Sequence, residues 1–116
     1  MPEEPKPVDT HTLEGRVREN IKAVRDVTGE HHTDIGRVLG LSVAVVGRRQ
    51  CGETRWAVAE VELLAEHWRI EASLMFSPEA AKVVAALPRA RVEQLRAAKR
   101  RRRLPAPTRS KTPVAA

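Results

Sequence analysis

The side chains with the longest chemical reach fall in two groups: Arg48, Arg49 and Arg55 in the middle of the chain, and the unbroken run Lys99, Arg100, Arg101, Arg102 and Arg103 near its end. Cations at this density suit a polyanion. Each can neutralise a phosphate, and an arginine can also bond guanine O6 and N7 in bidentate fashion. The charge is unevenly placed. Residues 1–88 carry 11 basic and 14 acidic side chains, whereas residues 89–116 carry 10 basic and one acidic, so the net charge of +6 resides in the C-terminal segment. On charge alone the partner is either nucleic acid or an anionic membrane surface. A run such as 99–103 can also be the solvated end of a helix, where cations suit the negative pole.

Other chemistry is poorly provided. His11, His31, His32 and His67 invite a metal reading, but His31 and His32 point apart and no thiolate or carboxylate cluster has ligand spacing, so no metal is expected. Cys51 is the single cysteine, which excludes an intrachain disulfide and any zinc site built from several thiolates. It is expected to pack as a small residue. No serine, histidine and acid set, phosphate-cradling glycine loop or paired-carboxylate signature stands out, so the chain is read as a non-enzyme without a cofactor. The opening MPEEPKPVD is acidic and proline-rich where a signal peptide is basic and then apolar. No apolar run approaches about 20 residues. A soluble, cytoplasmic protein follows as the expectation.

The elements that must position the cations read as all-α, because Ala, Val and Leu supply most of the apolar residues and aromatics only 3% of the chain. Residues 1–9 form a disordered lead. Thr10 or Thr12 caps a first helix with the stripe Leu13, Val17, Ile21 and Val24, which Gly29 terminates. A short second helix puts Ile35, Val38 and Leu39 on one face and leaves through Gly40. Ser42 caps a third, Val43 to about Gln50, which ends at Gly52. A fourth, from about Thr54 to Trp68, carries Val58, Val61, Leu64, Ala65 and Trp68, and a closing turn or helix holds Ile70, Leu74, Met75 and Phe76. These make a compact five-helix domain over residues 10–76.

Ser77, Pro78 and Glu79 are a helix start signal for a C-terminal helical extension over 77–103, which Pro88 either kinks or divides. Residues 104–116 are too polar and proline-rich to pack and form a disordered tail. Val83, Val84, Leu87, Val92 and Leu95 lie beyond the core. They either pack back on the domain or join two copies in a homodimer.

A helix, a short turn holding Gly40 and a capped helix make up the helix-turn-helix pattern. The near absence of acids around the run 99–103, together with this pattern preceding it in the chain, favours a clamp on a DNA backbone. Over residues 13–76 the chain resembles the lambda-repressor-like, or xenobiotic-response-element, family. The residues that carry this are Ile21, Val24 and Arg25 in helix one, Ile35 and Gly36 in helix two, and the turn Leu39, Gly40, Leu41 and Ser42. Val46, Gly52 and the later Leu64, Ala65, Trp68 and Ile70 continue it in register. The resemblance implies a domain whose third helix lies in the major groove of double-stranded DNA, with no membrane partner. It places Val43, Ala44, Gly47 and Arg48 toward bases and His32 and Arg55 toward phosphate, and counts Ser42 among the DNA-binding residues. Small Gly36 lets the two helices cross closely, and Gly40 permits a positive backbone angle.

Four departures from the family pattern stand out. Val43 and Ala44 replace polar residues, which implies modest or indirect specificity. Gln50 stands opposite Arg25 where the family has a glutamate, so a hydrogen bond replaces a salt bridge. Arg49 replaces an apolar residue, and its head is expected to snorkel toward solvent or phosphate. His31 stands where a threonine commonly caps helix two, leaving a weak cap unless Thr33 substitutes.

The function implied is a phage or bacterial transcriptional repressor, such as a phage immunity repressor, that occupies an operator in the cytoplasm of a bacterium or infected host. One alternative is an antitoxin that represses its own operon and neutralises a toxin through the extension. Another is a protein-interaction adaptor using Val43, Ala44 and Val45. The terminal Val114, Ala115 and Ala116 resemble a protease-recognition tail, although the abundance of Ala makes chance the stronger explanation.

Overall fold

The computed structural model describes residues 12–103, with the Arg103 side chain left out; the lead 1–9, the tail 104–116, Thr10, His11 and the Val114–Ala116 terminus lie outside the described residues. Thr12 is the first cap. Its Oγ1 accepts from the Gly15 amide at 2.9 Å and starts α1, Leu13–Thr28, which Gly29 closes at φ 81°. Then follow α2 (His32–Leu39), α3 (Val43–Gln50), α4 (Val58–Trp68), a 3₁₀ turn (Ala72–Phe76), α5 (Ala80–Ala86) and α6 (Arg89–Arg103). Among the described residues there are six α-helices and no strand, as an all-α reading requires.

The expected fifth helix of the 10–76 unit is the 3₁₀ turn, because Met75 alone of its residues is fully buried and the segment supplies one anchor rather than a helical stripe. The Ser77 signal is also early. Ser77 Oγ accepts from the Glu79 amide at 3.1 Å in a local turn, and the helix begins at Ala80. Pro88 opens a separate helix, α6.

One core runs through all six helices. Val17, Ile21 and Val24 of α1 meet Ile35, Val46, Val61, Leu64, Trp68, Met75 and Val83, all at most 2% exposed. Two stripe residues lie outside it: Leu13 and Val58, each in the first position of its helix, are 58% and 64% exposed. Val83, Leu87 and Leu95, named as dimer candidates, are buried within the chain itself, and Val84 and Val92 pack partly against the same core. Residues 77–103 therefore share the core of the preceding helices.

Three polar devices fix the helices on one another. Asn20 Nδ2 donates to the Met75 and Ser77 carbonyls at 2.8 and 3.0 Å, tying α1 to the 3₁₀ turn. Buried Glu30, between α1 and α2, accepts from Thr28 Oγ1 at 2.8 Å and Trp68 Nε1 at 2.7 Å, and its other oxygen lies 2.7 Å from His67 Nε2. Arg91 of α6 donates to the His67 carbonyl at 2.8 Å and faces His67 Nδ1, which assigns the ring proton to Nε2. Burial pushes the Glu30 carboxyl up, but the hydrogen bonds from His67, Trp68 and Thr28 outweigh it and hold it below its ordinary value.

The third device sets where α4 starts. Trp56 is buried, its Nε1 donating to Gln50 Oε1 at 2.9 Å and its amide to Glu14 Oε2 at 3.0 Å, so the chain stays out of helix until Ala57. Glu60 then accepts from the Ala57 amide at 2.9 Å and caps α4, which begins at Val58 rather than near Thr54.

Candidate nucleic-acid interface

The geometry between α2 and α3 follows from two glycines. Gly40 takes φ 74° and ψ 29°, a left-handed conformation that a side chain resists, and lets the Leu41 amide bond the Gly36 carbonyl at 2.9 Å. Gly36 is buried where a Cβ would collide with the Leu41 carbonyl oxygen, a backbone atom that cannot swing away. Ser42 Oγ accepts from the Val45 amide at 3.2 Å and starts α3 three residues after α2 has ended.

The α3 helix is held by a single buried residue, Val46, which packs beside Gly36 and belongs to the same core cluster as Ile35. Its first turn and Arg48 look outward. Val43 is 52% exposed, and Ser42, Ala44 and Arg48 are exposed as well. The Arg48 guanidinium has no ion-pair partner among the described residues. Its carbonyl accepts from the Glu53 and Thr54 amides at 2.9 and 3.2 Å, folding the following loop back on the end of α3. That loop carries Arg55, whose side chain is 91% exposed and only loosely paired with Glu14 at 3.6 Å.

His32, in the first turn of α2, is brought to α3: its Nδ1 lies 3.8 Å from where a Cβ on Gly47 would stand. Burial, then the nearby charges of Arg25 and His31, push its imidazole below the ordinary histidine range, so it is neutral at pH 7 and can donate one hydrogen bond and accept another.

Arg49 does not join this face. Its Nε and Nη2 each donate to a Glu60 oxygen at 2.8 Å, and its guanidinium carbon sits 6.0 Å from the centroid of the Trp56 ring. The pair lowers the Glu60 carboxyl and raises the arginine, each chiefly through these hydrogen bonds. The expected head toward phosphate is thus a clasp between α3 and α4. Nothing at position 49 signalled this; the cue was the acid at the third position of α4.

The expected Arg25–Gln50 hydrogen bond is not formed. Gln50 Nε2 donates to the Arg18 carbonyl at 3.2 Å, two turns earlier in α1, and Arg25 Nε donates to the Glu30 carbonyl at 3.2 Å. The end of α3 stands level with the middle of α1, out of Arg25's reach. His31 makes no side-chain cap, and Thr33 does not replace it; the Asp34 carboxylate accepts from the His31 amide at 2.8 Å. Cys51, expected to be packed, is exposed, because helix α3 has ended and the chain is turning toward Gly52 at φ 89°.

The basic run divides. Lys99 Nζ and Arg102 Nη2 bind Asp34 at 2.9 and 3.0 Å, and Arg37 joins them at 3.2 Å. Burial raises the Asp34 carboxyl, but the His31 amide, Lys99 and Arg102 together hold it below its ordinary value. Two members of the expected clamp are therefore engaged within the chain, because an acid buried at the start of α2 was not visible from α6. Arg100 and Arg101 are exposed.

Among the described residues no group of three or more His, Cys, Asp or Glu could hold a metal ion. No helix there is long and apolar enough to cross a membrane. The chain has no significant match among curated proteins or solved structures. The family model described as BetR domain matches residues 9–103, from ahead of α1 to the last residue of α6. The chain belongs to the BetR domain family.

Proposed function

We propose that the chain is a double-stranded DNA-binding transcription regulator, a repressor that occupies its operator by laying α3 in the major groove. The observation that carries this is the disposition of α3: one buried anchor, Val46, with Val43, Ala44 and the unpaired Arg48 outward and His32 beside Gly47. A helix so mounted offers its first turns to base edges. Membership in the BetR domain family supports a regulatory, DNA-binding role. The lambda-repressor-like resemblance over residues 13–76 supports the same docking and a phage or bacterial repressor.

Arg48 reads a guanine, Val43 and Ala44 touch thymine methyls, and His32 and Arg55 hold phosphates on either side. No cofactor, metal or catalytic step is part of this function. A homodimer on two half-sites fits it, with Val84 and Val92 as the members of the apolar set still reaching the surface.

The test is selection of genome fragments by the purified chain near physiological salt, repeated with Arg48→Ala. Enrichment of a few related short sites by the wild type alone supports the proposal. Uniform, salt-sensitive capture by both makes the basic helix the DNA contact. No capture favours the adaptor reading, for which the exposed Val43 is the specific observation.

A further inference from the structure

Between the end of α1 and the last turns of α6 lies a shallow groove lined by Thr28, Gly29, His31, Arg96, Lys99 and Arg100. No carboxylate lines it. Arg96, Lys99 and Arg100 stand at i, i+3 and i+4 and so share one face of α6. Arg96 Nε donates to the Val27 carbonyl at 2.8 Å, which fixes the guanidinium at the wall without cancelling its charge. Lys99 is held from beneath by Asp34. Arg100 is exposed and ion-paired to nothing among the described residues, and the exposed His31 ring is not spent on capping α2. Besides the Asp34 that holds Lys99, one acid lies near: Glu93 shares a neighbouring depression with Arg96 and Arg100 but is ion-paired to neither. A concave surface lined by one sign of charge concentrates counter-ions.

We infer that this groove is a phosphate-binding site whose occupant is a backbone phosphate of DNA flanking the bases read by α3. The inference rests on the DNA-binding reading and extends it. Asp34, which holds Lys99, lies in the first turn of α2, and His32 in the same turn reaches Gly47 of α3. The groove therefore adjoins the phosphate-facing end of α2, on the side away from Arg55. Arg96 and His31, which the sequence did not single out for DNA, belong to this contact, and Lys99 lines it while paired to Asp34.

Two measurements on the full chain test it. The first is titration of the isotope-labelled protein with inorganic pyrophosphate at low salt, followed by amide NMR. Shifts are expected at Gly29, His31, Arg96, Lys99 and Arg100, weakened about tenfold by Arg100→Gln, which removes no internal contact. The second is the salt dependence of binding to a selected duplex, long or trimmed to the bases α3 covers. Each phosphate contact contributes about 0.9 to the slope. Arg100→Gln should lower the slope on the long duplex by about that amount and make it insensitive to trimming, whereas Glu93→Gln should strengthen binding.

An unchanged slope in Arg100→Gln overturns the inference even where Arg48→Ala still abolishes site preference and the DNA reading stands. Pyrophosphate shifts without DNA binding by the wild type overturn the DNA occupant and assign the groove to a free phosphorylated ligand. Scattered or absent shifts overturn the site itself.

Discussion

The Asp34 carboxylate holds the Lys99 ammonium at 2.9 Å, joining the first turn of α2 to the end of α6 across 65 positions of sequence. Arg102 and Arg37 share the same carboxylate at 3.0 and 3.2 Å, and its side chain is 4% exposed. One acid thus turns the most basic helix of the chain into part of the fold and sets it beside the proposed interface.

Asp34→Asn should therefore loosen α6 rather than simply remove a surface pair. Lys99 would be left partly buried against a neutral amide, and the exposed Arg102 and Arg37 would lose their partner, a loss of about 2 kcal/mol in urea unfolding. Hydrogen exchange should quicken in the last turns of α6 first. Exchange rates there equal to wild type would mean that the remaining contacts of α6, Arg91, Leu95 and Arg96 among them, dock the helix without Asp34.

Gly36→Ala carries a different penalty. Its Cβ meets the Leu41 carbonyl, so either the turn opens or α2 and α3 separate, and the cost should be at least about 2 kcal/mol. DNA binding should fall more than stability alone explains, because the turn aims α3. Thermal unfolding beside duplex affinity separates the two.

Arg49→Met distinguishes a structural arginine from a reading one. Loss of the two 2.8 Å bonds to Glu60 should destabilise by about 1 kcal/mol, modest because both groups are partly exposed. The salt dependence of DNA binding should not change. A slope reduced by about one would place Arg49 on phosphate after all.

How much of this was legible follows the range of the interactions. Local signals were readable: Thr12, one of two cap candidates, and Ser42 as caps, Gly29 and Gly40 as exits, and the stripes that bury Val17, Ile21, Val24 and Ile35. Each depends on residues a few positions apart. The misread residues depend on distant partners. Arg49, expected to reach solvent or phosphate, is held by Glu60 eleven positions on, and Gln50, matched to Arg25, reaches Trp56 and Arg18 instead; the pairing of Lys99 and Arg102 with Asp34, 65 and 68 positions away, left no local signal. Trp56, the residue that delays α4, had no periodicity to reveal it. Arg48, Val43 and Ala44 are exposed because Val46 is the one fully buried side chain in α3.

Acid should unfold the chain through Glu30. Its folded carboxyl lies below the ordinary value of 4.5, as that of Asp34 lies below 3.8, so both contribute fully above about pH 4.5 and lose their contribution as pH falls through the folded values. Stability should be flat with respect to these groups near neutrality and fall steeply below pH 4.5. Glu30→Gln should cost about 2 kcal/mol at pH 7 and flatten that fall. An acid limb as steep as in the wild type would show that other carboxylates govern it.

The central claim is that the outward face of α3 reads bases, and the most direct test is the ratio of affinities for a selected duplex and a scrambled one at fixed salt. The wild type should prefer the selected site by at least about 10³-fold. Arg48→Ala should lose roughly 10- to 100-fold of that ratio, the worth of one bidentate guanine contact, while binding the scrambled duplex nearly as well as the wild type. An equal ratio in the two proteins would contradict the account and remove α3 from the groove.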